Sequence, residues 1–334
     1  MKPSCDPKVF FAELAGCVDT RDLHQEVPPA HLHDWSDEAA GQPLGLVTPR
    51  STQQVSDVMA ICSRHGVPVV PQGGLSGLAG GAVPSDGALL LSLAKMNAIE
   101  DLDSAVGTMR VQAGAVLQTI QEQAESEGWM FALDLGARGS CQIGGNIATN
   151  AGGNRVIRYG VMRDLVLGLE VVLADGRVLD LMQSMKKNNT GLDLRQLFIG
   201  SEGTLGIITR AVLKLSPGVR GANTALIAFA GYDQTLQFLK QAQTAFSGHV
   251  SAFELMWPDY YQFALKTLGR ADQFDQEYGY YLLFDVQSSH PEQDYPQFEQ
   301  LMADAFEKGL VENAVLASSE RETEQLWQLR DCVS

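Results

Sequence analysis

Residues 71–82 read PQGGLSGLAGGA (Pro71–Ala82), five glycines in twelve positions, directly after the apolar run Gly66-Val-Pro-Val-Val70. That run predicts a short buried strand. A glycine-rich turn leaving a strand lets several backbone N–H groups converge with no side chain in the way. Such a nest suits an anionic oxygen, above all a phosphate. Two further stretches share the texture, GARGSCQIGGNIATNAGG (Gly136–Gly153) and GSEGTLGIIT (Gly200–Thr209). Three of them across some 140 positions point to one large phosphate-bearing cofactor held at several places.

The sequence around the first loop narrows the choice of cofactor. A nicotinamide fingerprint needs G-x-G-x-x-G opening a helix. Here Gly74, Gly77 and Gly80 are spaced G-x-x-G-x-x-G, and no helical periodicity starts inside the loop. Ala82–Asp86 is turn-like and leads to the apolar strand Ala88–Leu93. A Rossmann site is therefore set aside. Upstream, Leu44–Val47 predicts a strand, and Ser51 or Thr52 caps a helix with the stripe Val55, Met59, Cys62, closed by Gly66. Downstream the pattern predicts a strand over Val106–Ala113, a helix marked by Val116, Leu117, Ile120 and Ala124 that ends at Gly128, and a hairpin turning at Asp175-Gly176. A long strand over Leu205–Leu215 ends at Ser216-Pro-Gly218, which marks the domain boundary. Beyond it four strands alternate with four helices from Ala225 to Arg330, predicting helices on one face of an antiparallel sheet.

Composition bounds the rest. The chain has 334 residues, 45% hydrophobic and 19% charged, with a net charge of −16. Length alone suits about two domains. The negative charge argues against nucleic acid, which needs a basic stripe. No apolar run approaches the roughly 20 residues of a membrane span. The five cysteines form no CxxC pair, which favours a reducing compartment. With no signal-like N-terminus, the expected location is cytoplasmic. His31 and His33 would share a face of a strand, but no third ligand lies nearby, so a surface loop is the better reading and no metal site is assigned.

These motifs taken together resemble the FAD-binding flavoproteins of the vanillyl-alcohol-oxidase and p-cresol-methylhydroxylase (PCMH) type, the FAD-linked oxidases. Within them the chain is most similar to the D-2-hydroxyacid dehydrogenases, those of 2-hydroxyglutarate and lactate, with glycolate oxidase flavin subunits nearby. The resemblance is carried by Pro71–Ala82, by IGGNIATNAGGNRVIRYG (Ile143–Gly160) and LVLGLEVVLADG (Leu165–Gly176), and by KNNTGLDLRQLFIGSEGTLGIIT (Lys187–Thr209) and LWQLRD (Leu326–Asp331). It covers nearly the whole chain. It implies an α+β fold: a lead segment over 1–37, a two-subdomain FAD-binding PCMH-type domain over 38–218, and an incomplete ferredoxin-like substrate or cap domain over 219–334.

The resemblance also implies roles. Pro71, Gly73, Gly74, Leu75, Ser76, Gly77 and Leu78 would cradle the FAD pyrophosphate. Gly136, Ser140, Ile143, Gly144, Gly145, Asn146, Ala148, Thr149, Asn150, Ala151, Gly152 and Gly153 would line the flavin and its ribityl-phosphate arm. Glu202, Gly206 and Ile207 would lie near the adenine and the flavin edge. The first loop holds no histidine, so FAD is expected to be noncovalent. Arg330 aligns with the arginine that binds the substrate carboxylate, and Ser334 with an assisting hydroxyl residue. As a residue of a last helical turn, Arg330 reads equally as an exposed cation facing the helix dipole.

The implied reaction is oxidation of a small 2-hydroxy acid, its α-hydrogen leaving as hydride to flavin N5, with electrons passing to an electron-transfer protein, quinone or cytochrome. Members of the family run on into an H-x-G-D-G-N-x-H stretch and a Glu-His-Gly stretch. These supply the catalytic histidine and the ligands of a divalent metal such as zinc. None is present here, and none of the six histidines matches. No catalytic residue is therefore assigned, and the chain as it stands is expected to be inactive. The alternative is a non-catalytic FAD-binding subunit of a larger glycolate-oxidase-like complex. An alditol oxidase or enolpyruvyl sugar reductase lacks the TNAGGN and LWxLR matches. A homodimer is compatible with the resemblance.

Overall fold

The computed structural model describes residues 6–332. The chain divides into two compact units. Unit 1 holds residues up to 132, 137–151 and 161–217; unit 2 holds 133–136, 152–160 and 218 onward. Two short pieces that overlap the ends of the second glycine-rich stretch, 133–136 and 152–160, thus group with unit 2. Gly136, Gly152 and Gly153 belong to unit 2.

Unit 1 begins with α1 (Pro7–Leu14), capped by the Asp6 carboxylate, and the two-residue strand β1 (Leu23–His24). Then come β2 (Gly45–Val47), α2 (Thr52–His65), β3 (Val69–Gln72) and β4 (Leu89–Ser92). The Ser51 hydroxyl caps α2 by accepting from Gln54 N–H, and Gly66 ends it at φ 65°. The sheet order is β1-β2-β4-β3. Strands β2, β4 and β3 are parallel, which is why Leu89–Leu91 is an unbroken apolar run buried on both faces.

A second, antiparallel sheet of unit 1 runs β5-β6-β10-β8-β9. Its strands are β5 (Ile99–Asp103), β6 (Thr108–Gln112), β8 (Val166–Val172), β9 (Val178–Leu181) and β10 (Ile207–Lys214). The edge strand β5 reads IEDLD. Its polar face hides it from a search for apolar runs. Between β6 and β8 lie α3 (Leu117–Ser126), the short strand β7 (Trp129–Met130), α4 (Ile143–Ala148), α5 (Val156–Tyr159) and α6 (Met162–Leu165). Of these only α5 belongs to unit 2. The short helix α7 (Arg195–Phe198) precedes β10, and β11 (Ser216–Pro217) pairs with β7.

Unit 2 alternates β12 (Gly221–Phe229), α8 (Tyr232–Phe246), β13 (Val250–Met256), α9 (Pro258–Leu268), β14 (Tyr280–Ser288), α10 (Pro291–Glu307), β15 (Asn313–Leu316) and α11 (Glu320–Asp331). The order β13-β14-β12-β15, all antiparallel, is that of a ferredoxin-like sheet. Helices on one face only were expected, and the structure corrects this. Ala225, Ile227 and Phe229 pack with Phe238 of α8 and Phe298 of α10. Leu226 and Ala228 pack on the other face with Tyr261 of α9 and Leu326 and Leu329 of α11. The reason lies in the central strands. ALIAF of β12 and YYLLF of β14 are apolar at consecutive positions, so each face needs a cover. Each large apolar side chain buried there contributes on the order of 1.5–3 kcal/mol.

Candidate functional site

The glycine-rich stretches of unit 1 converge, although far apart in sequence. The first loop runs from β3 towards β4, and Gln72 closes it. This side chain, 1% exposed, donates from Nε2 to the carbonyls of His31 and Ala82 at 2.9 and 2.8 Å. Its Oε1 meets His31 Nδ1 at 2.8 Å. His31 is thus a partner of the loop and stands in a turn of 3-10 helix, not on a strand. The second stretch passes beneath the loop: a Cβ on Gly74 would stand 2.0 Å from the Ser140 carbonyl oxygen and 2.8 Å from Cys141 Cα. Burial pushes the Cys141 thiol up, so this sulfur is a packing group and not a nucleophile.

The third stretch docks on the end of α4. Gly200 N–H donates to Ile147 O at 3.1 Å, and Glu202 N–H to Ala148 O at 2.9 Å. Arg163 ties the two. Its backbone N–H donates to Asn150 Oδ1 at 2.9 Å, and its guanidinium reaches the carbonyls of Gln196 at 3.0 Å and Ile199 at 2.7 Å. Neither Gln72 nor Arg163 was singled out from sequence; each serves through one long-range hydrogen-bond set that spacing does not reveal.

The backbone at these places is unusual. Four non-glycine residues have positive φ among the described residues: Leu75 (56°), Asn150 (49°), Glu202 (50°) and Ser247 (41°). Ser247 caps α8. The other three fall one on each glycine-rich stretch. A non-glycine residue in that region costs on the order of 1 kcal/mol or more, and such outliers gather at ligand-binding positions.

The glycines then separate into two kinds. Gly74, Gly144 and Gly206 are small because protein is there: added Cβ atoms would meet Ser140 O at 2.0 Å, Ala113 Cβ at 2.7 Å and Val171 Cγ1 at 2.7 Å. Gly145 meets nothing within 4 Å, and Gly73 meets Gln142 Cβ at 3.6 Å, Gln142 Oε1 at 3.7 Å and Gly145 Cα at 3.9 Å, all ordinary contacts. No protein atom requires glycine at these two positions. Beside Gly73 lies Gln142 Oε1, a buried acceptor with no partner among the described residues. A ligand bringing hydroxyl groups and a flat ring against bare backbone fits this place, as FAD does, and Gly73, Gly145 and Gln142 would touch it. Ile143 and Ile207, 0% and 3% exposed, are covered by protein. Ser140, Gly77, Leu78 and Thr149 are open to solvent, while Pro71, Leu75, Ser76, Ala148, Asn150 and Ala151 are half-buried. Asn146 is buried, with Oδ1 unpartnered.

In unit 2, Gly153 is packed against its own unit, where a Cβ would stand 2.1 Å from Asp134 O. Gly136 and Gly152 are exposed. Arg330 is not the open helix-end cation of the simpler reading. Its side chain is 33% exposed, with Nε 2.8 Å from Glu254 Oε2 of β13. Burial works against its charge, but the Glu254 carboxylate more than offsets this and holds the guanidinium above its ordinary pKa. Tyr260 O–H donates to the Arg330 carbonyl at 2.7 Å. Ser334 lies outside the described residues. No group of three or more His, Cys, Asp or Glu is placed to hold a metal among the described residues.

A glycine-lined cofactor fold of this shape defines a class. Alkyldihydroxyacetonephosphate synthase shares it with a TM-score of 0.78 at 20% identity, over 99% of this chain and 65% of that one. p-Cresol methylhydroxylase with substrate bound shares it at 0.72 and 17%, over 97% and 68%. The fold is therefore that of the PCMH-type flavoproteins. Residues 43–182 match the family described as FAD binding domain, and 220–333 that described as FAD linked oxidases, C-terminal domain. D-2-hydroxyglutarate dehydrogenase of Xanthomonas citri pv. viticola is 36% identical over 98% of this chain and 69% of its own length. The mitochondrial D-2-hydroxyglutarate dehydrogenase of Bos taurus is 39% identical over 93% of this chain and 57% of that protein. A putative mitochondrial D-lactate dehydrogenase of Schizosaccharomyces pombe is 36% identical over 93% and 60%. The chain thus spans little more than half the length of the last two. The chain belongs to the FAD-linked oxidase family.

Proposed function

We propose that the protein oxidises a D-2-hydroxy acid, of the size of 2-hydroxyglutarate or lactate, to the 2-oxo acid with FAD held noncovalently by unit 1. The observation that carries this reading is the 36% identity to the Xanthomonas enzyme across 98% of the chain. Bound FAD supplies a two-electron acceptor for the substrate's α-hydrogen. The chain supplies bare backbone at Gly73 and Gly145 for the cofactor, and a guanidinium at Arg330 for the substrate carboxylate. An arginine suits a carboxylate because two N–H groups meet two oxygens in one plane. The electrons leave to a separate acceptor, an electron-transfer protein, quinone or cytochrome. Cys17, Cys62, Cys141 and Cys332 are not disulfide-bonded, which supports a reducing compartment such as the cytoplasm.

The test is anaerobic flavin bleaching in protein expressed from its complete reading frame and loaded with FAD. D-2-Hydroxyglutarate or D-lactate should bleach the flavin, and the L isomers should not. Failure of both D acids to bleach a fully loaded protein overturns the reading.

A further inference from the structure

We infer that Glu254 is a positioning residue that sets how Arg330 presents its guanidinium to substrate, and so sets affinity for the 2-hydroxy acid carboxylate. The inference rests on the reading of Arg330 as the carboxylate-binding arginine. An arginine carries five N–H donors in a rigid fork, and a carboxylate can take them along two edges. Glu254 Oε2 accepts from Nε at 2.8 Å and so occupies the Nε edge. Toward the other end, among the described residues, Nη1 has the Asp331 carboxylate at 3.9 Å, too long for a hydrogen bond. The end-on pair Nη1 and Nη2 is therefore the edge turned to an incoming carboxylate.

The surroundings make this a built arrangement. Glu254 comes from β13, in register with Leu283 of β14. Its neighbours Phe253 and Leu255 pack into the core on the opposite face. That alternation points Glu254 to the face covered by α11, where Leu326 and Leu329 anchor the helix beneath Arg330. Tyr260 of α9 holds the Arg330 carbonyl from the other side. Backbone and Nε are both fixed, and the Nη edge is the part left to bind. A free arginine would lose the freedom of its long side chain on binding substrate; this one has lost it in advance.

The test uses FAD-loaded protein from the complete reading frame, with D-2-hydroxyglutarate as substrate and oxalate as a non-reacting competitor. Glu254→Ala should raise KM and the oxalate Ki about tenfold, with kcat changed less than about threefold. Glu254→Gln keeps an oxygen for Nε and should recover most of the affinity. Glu254→Asp is one methylene shorter and should not. In an Arg330→Ala background, Glu254→Ala should add less than about twofold, because its effect passes through the arginine. The inference is overturned if Glu254→Ala leaves KM unchanged, or if its full factor persists without Arg330. If Glu254→Ala does not fold, the Gln and Asp variants decide alone, and equal KM values in both overturn it. A failure of the underlying reading looks different: Arg330→Ala itself then keeps its kcat/KM.

Discussion

Unit 1 and unit 2 make polar sites by opposite means. Unit 1 uses backbone. Its candidate cofactor surface consists of glycines facing open space and of Leu75, Asn150 and Glu202 held at positive φ. Unit 2 uses side chains on a regular sheet, such as Glu254 with Arg330, and Asp285 with two hydroxyls. The buried carboxylates of the two units differ in another way, in the sign of their pKa shift. Asp22 of unit 1 lies between Arg50 and Lys95, and these hold it down to about 2 against the pull of burial. Asp285 of unit 2, 2% exposed, is pushed up by burial, with Thr224 Oγ1 donating at 2.5 Å and Ser251 Oγ at 2.9 Å, and with Arg155 and Arg158 acting weakly in the other direction. A bulge between Val250 and Ala252 brings Ser251 opposite it. A backbone site is therefore sensitive to added atoms, and a side-chain site to removed ones.

The largest effect should come from a single added methyl in unit 1. Gly74→Ala drives a Cβ to 2.0 Å from a backbone oxygen, and neither side can yield as a flexible side chain would. We expect destabilisation of more than about 3 kcal/mol, with the loop and Ser140–Cys141 forced apart. Urea unfolding measures it. A Gly74→Ala protein of unchanged stability would break the account of the loop as packed on the second stretch.

Removing atoms in unit 2 comes next. Asp285→Leu leaves the Thr224 and Ser251 hydroxyls without their carboxyl partner, at a cost of about 2–4 kcal/mol. Asp285→Asn keeps an acceptor and should cost less. The pH dependence separates the two variants. A raised folded pKa means that the folded state binds the proton more tightly. The stability is then fully present below the unfolded value near 4 and is lost as pH rises through the folded value. Asp285→Asn should remove that loss. Stability of unit 2 peptides, followed by hydrogen exchange between about pH 4 and 8, would rise with pH in the parent if this assignment were wrong.

Asp22 has the opposite sign and a smaller effect. Its folded pKa is depressed to about 2. Its stabilisation is present above the unfolded value near 4 and is lost as pH falls towards 2. Arg50 and Lys95 are 45% and 36% exposed, so solvent screening reduces it to about 1–2 kcal/mol. Asp22→Asn should flatten the acid limb for unit 1 peptides and leave unit 2 peptides unchanged.

The smallest change in stability sharpens the comparison most. Gly145→Ala is the same methyl as in Gly74→Ala, placed in a helix with nothing within 4 Å. Stability should stay within about 1 kcal/mol of the parent, and helix propensity favours alanine. FAD affinity, titrated by flavin fluorescence, should fall about tenfold or more. Unchanged affinity would move the cofactor away from α4.

The sequence determined the order of elements closely. Ser51 and Gly66 framed α2, and Asp175-Gly176 turned the β8–β9 hairpin. Local rules suffice there, because caps and turns are satisfied within a few residues. The glycine stretches were also legible as stretches, because composition alone marks where side chains are missing. Sequence could not sort those glycines. Gly74 and Gly145 look alike in the chain, and only the folded positions of Ser140 and Cys141, and the open space beside α4, distinguish packing from access. Nor could it give Arg330 its partner: Glu254 is 76 residues away and reaches it only because α11 covers one face of the four-stranded sheet. Residues 152–160 follow a local glycine motif, yet they belong to unit 2 because Arg158 donates to the carbonyls of Gln287 and His249. Tertiary structure decided these points because each depends on atoms brought together from distant parts of the chain, which no local pattern encodes.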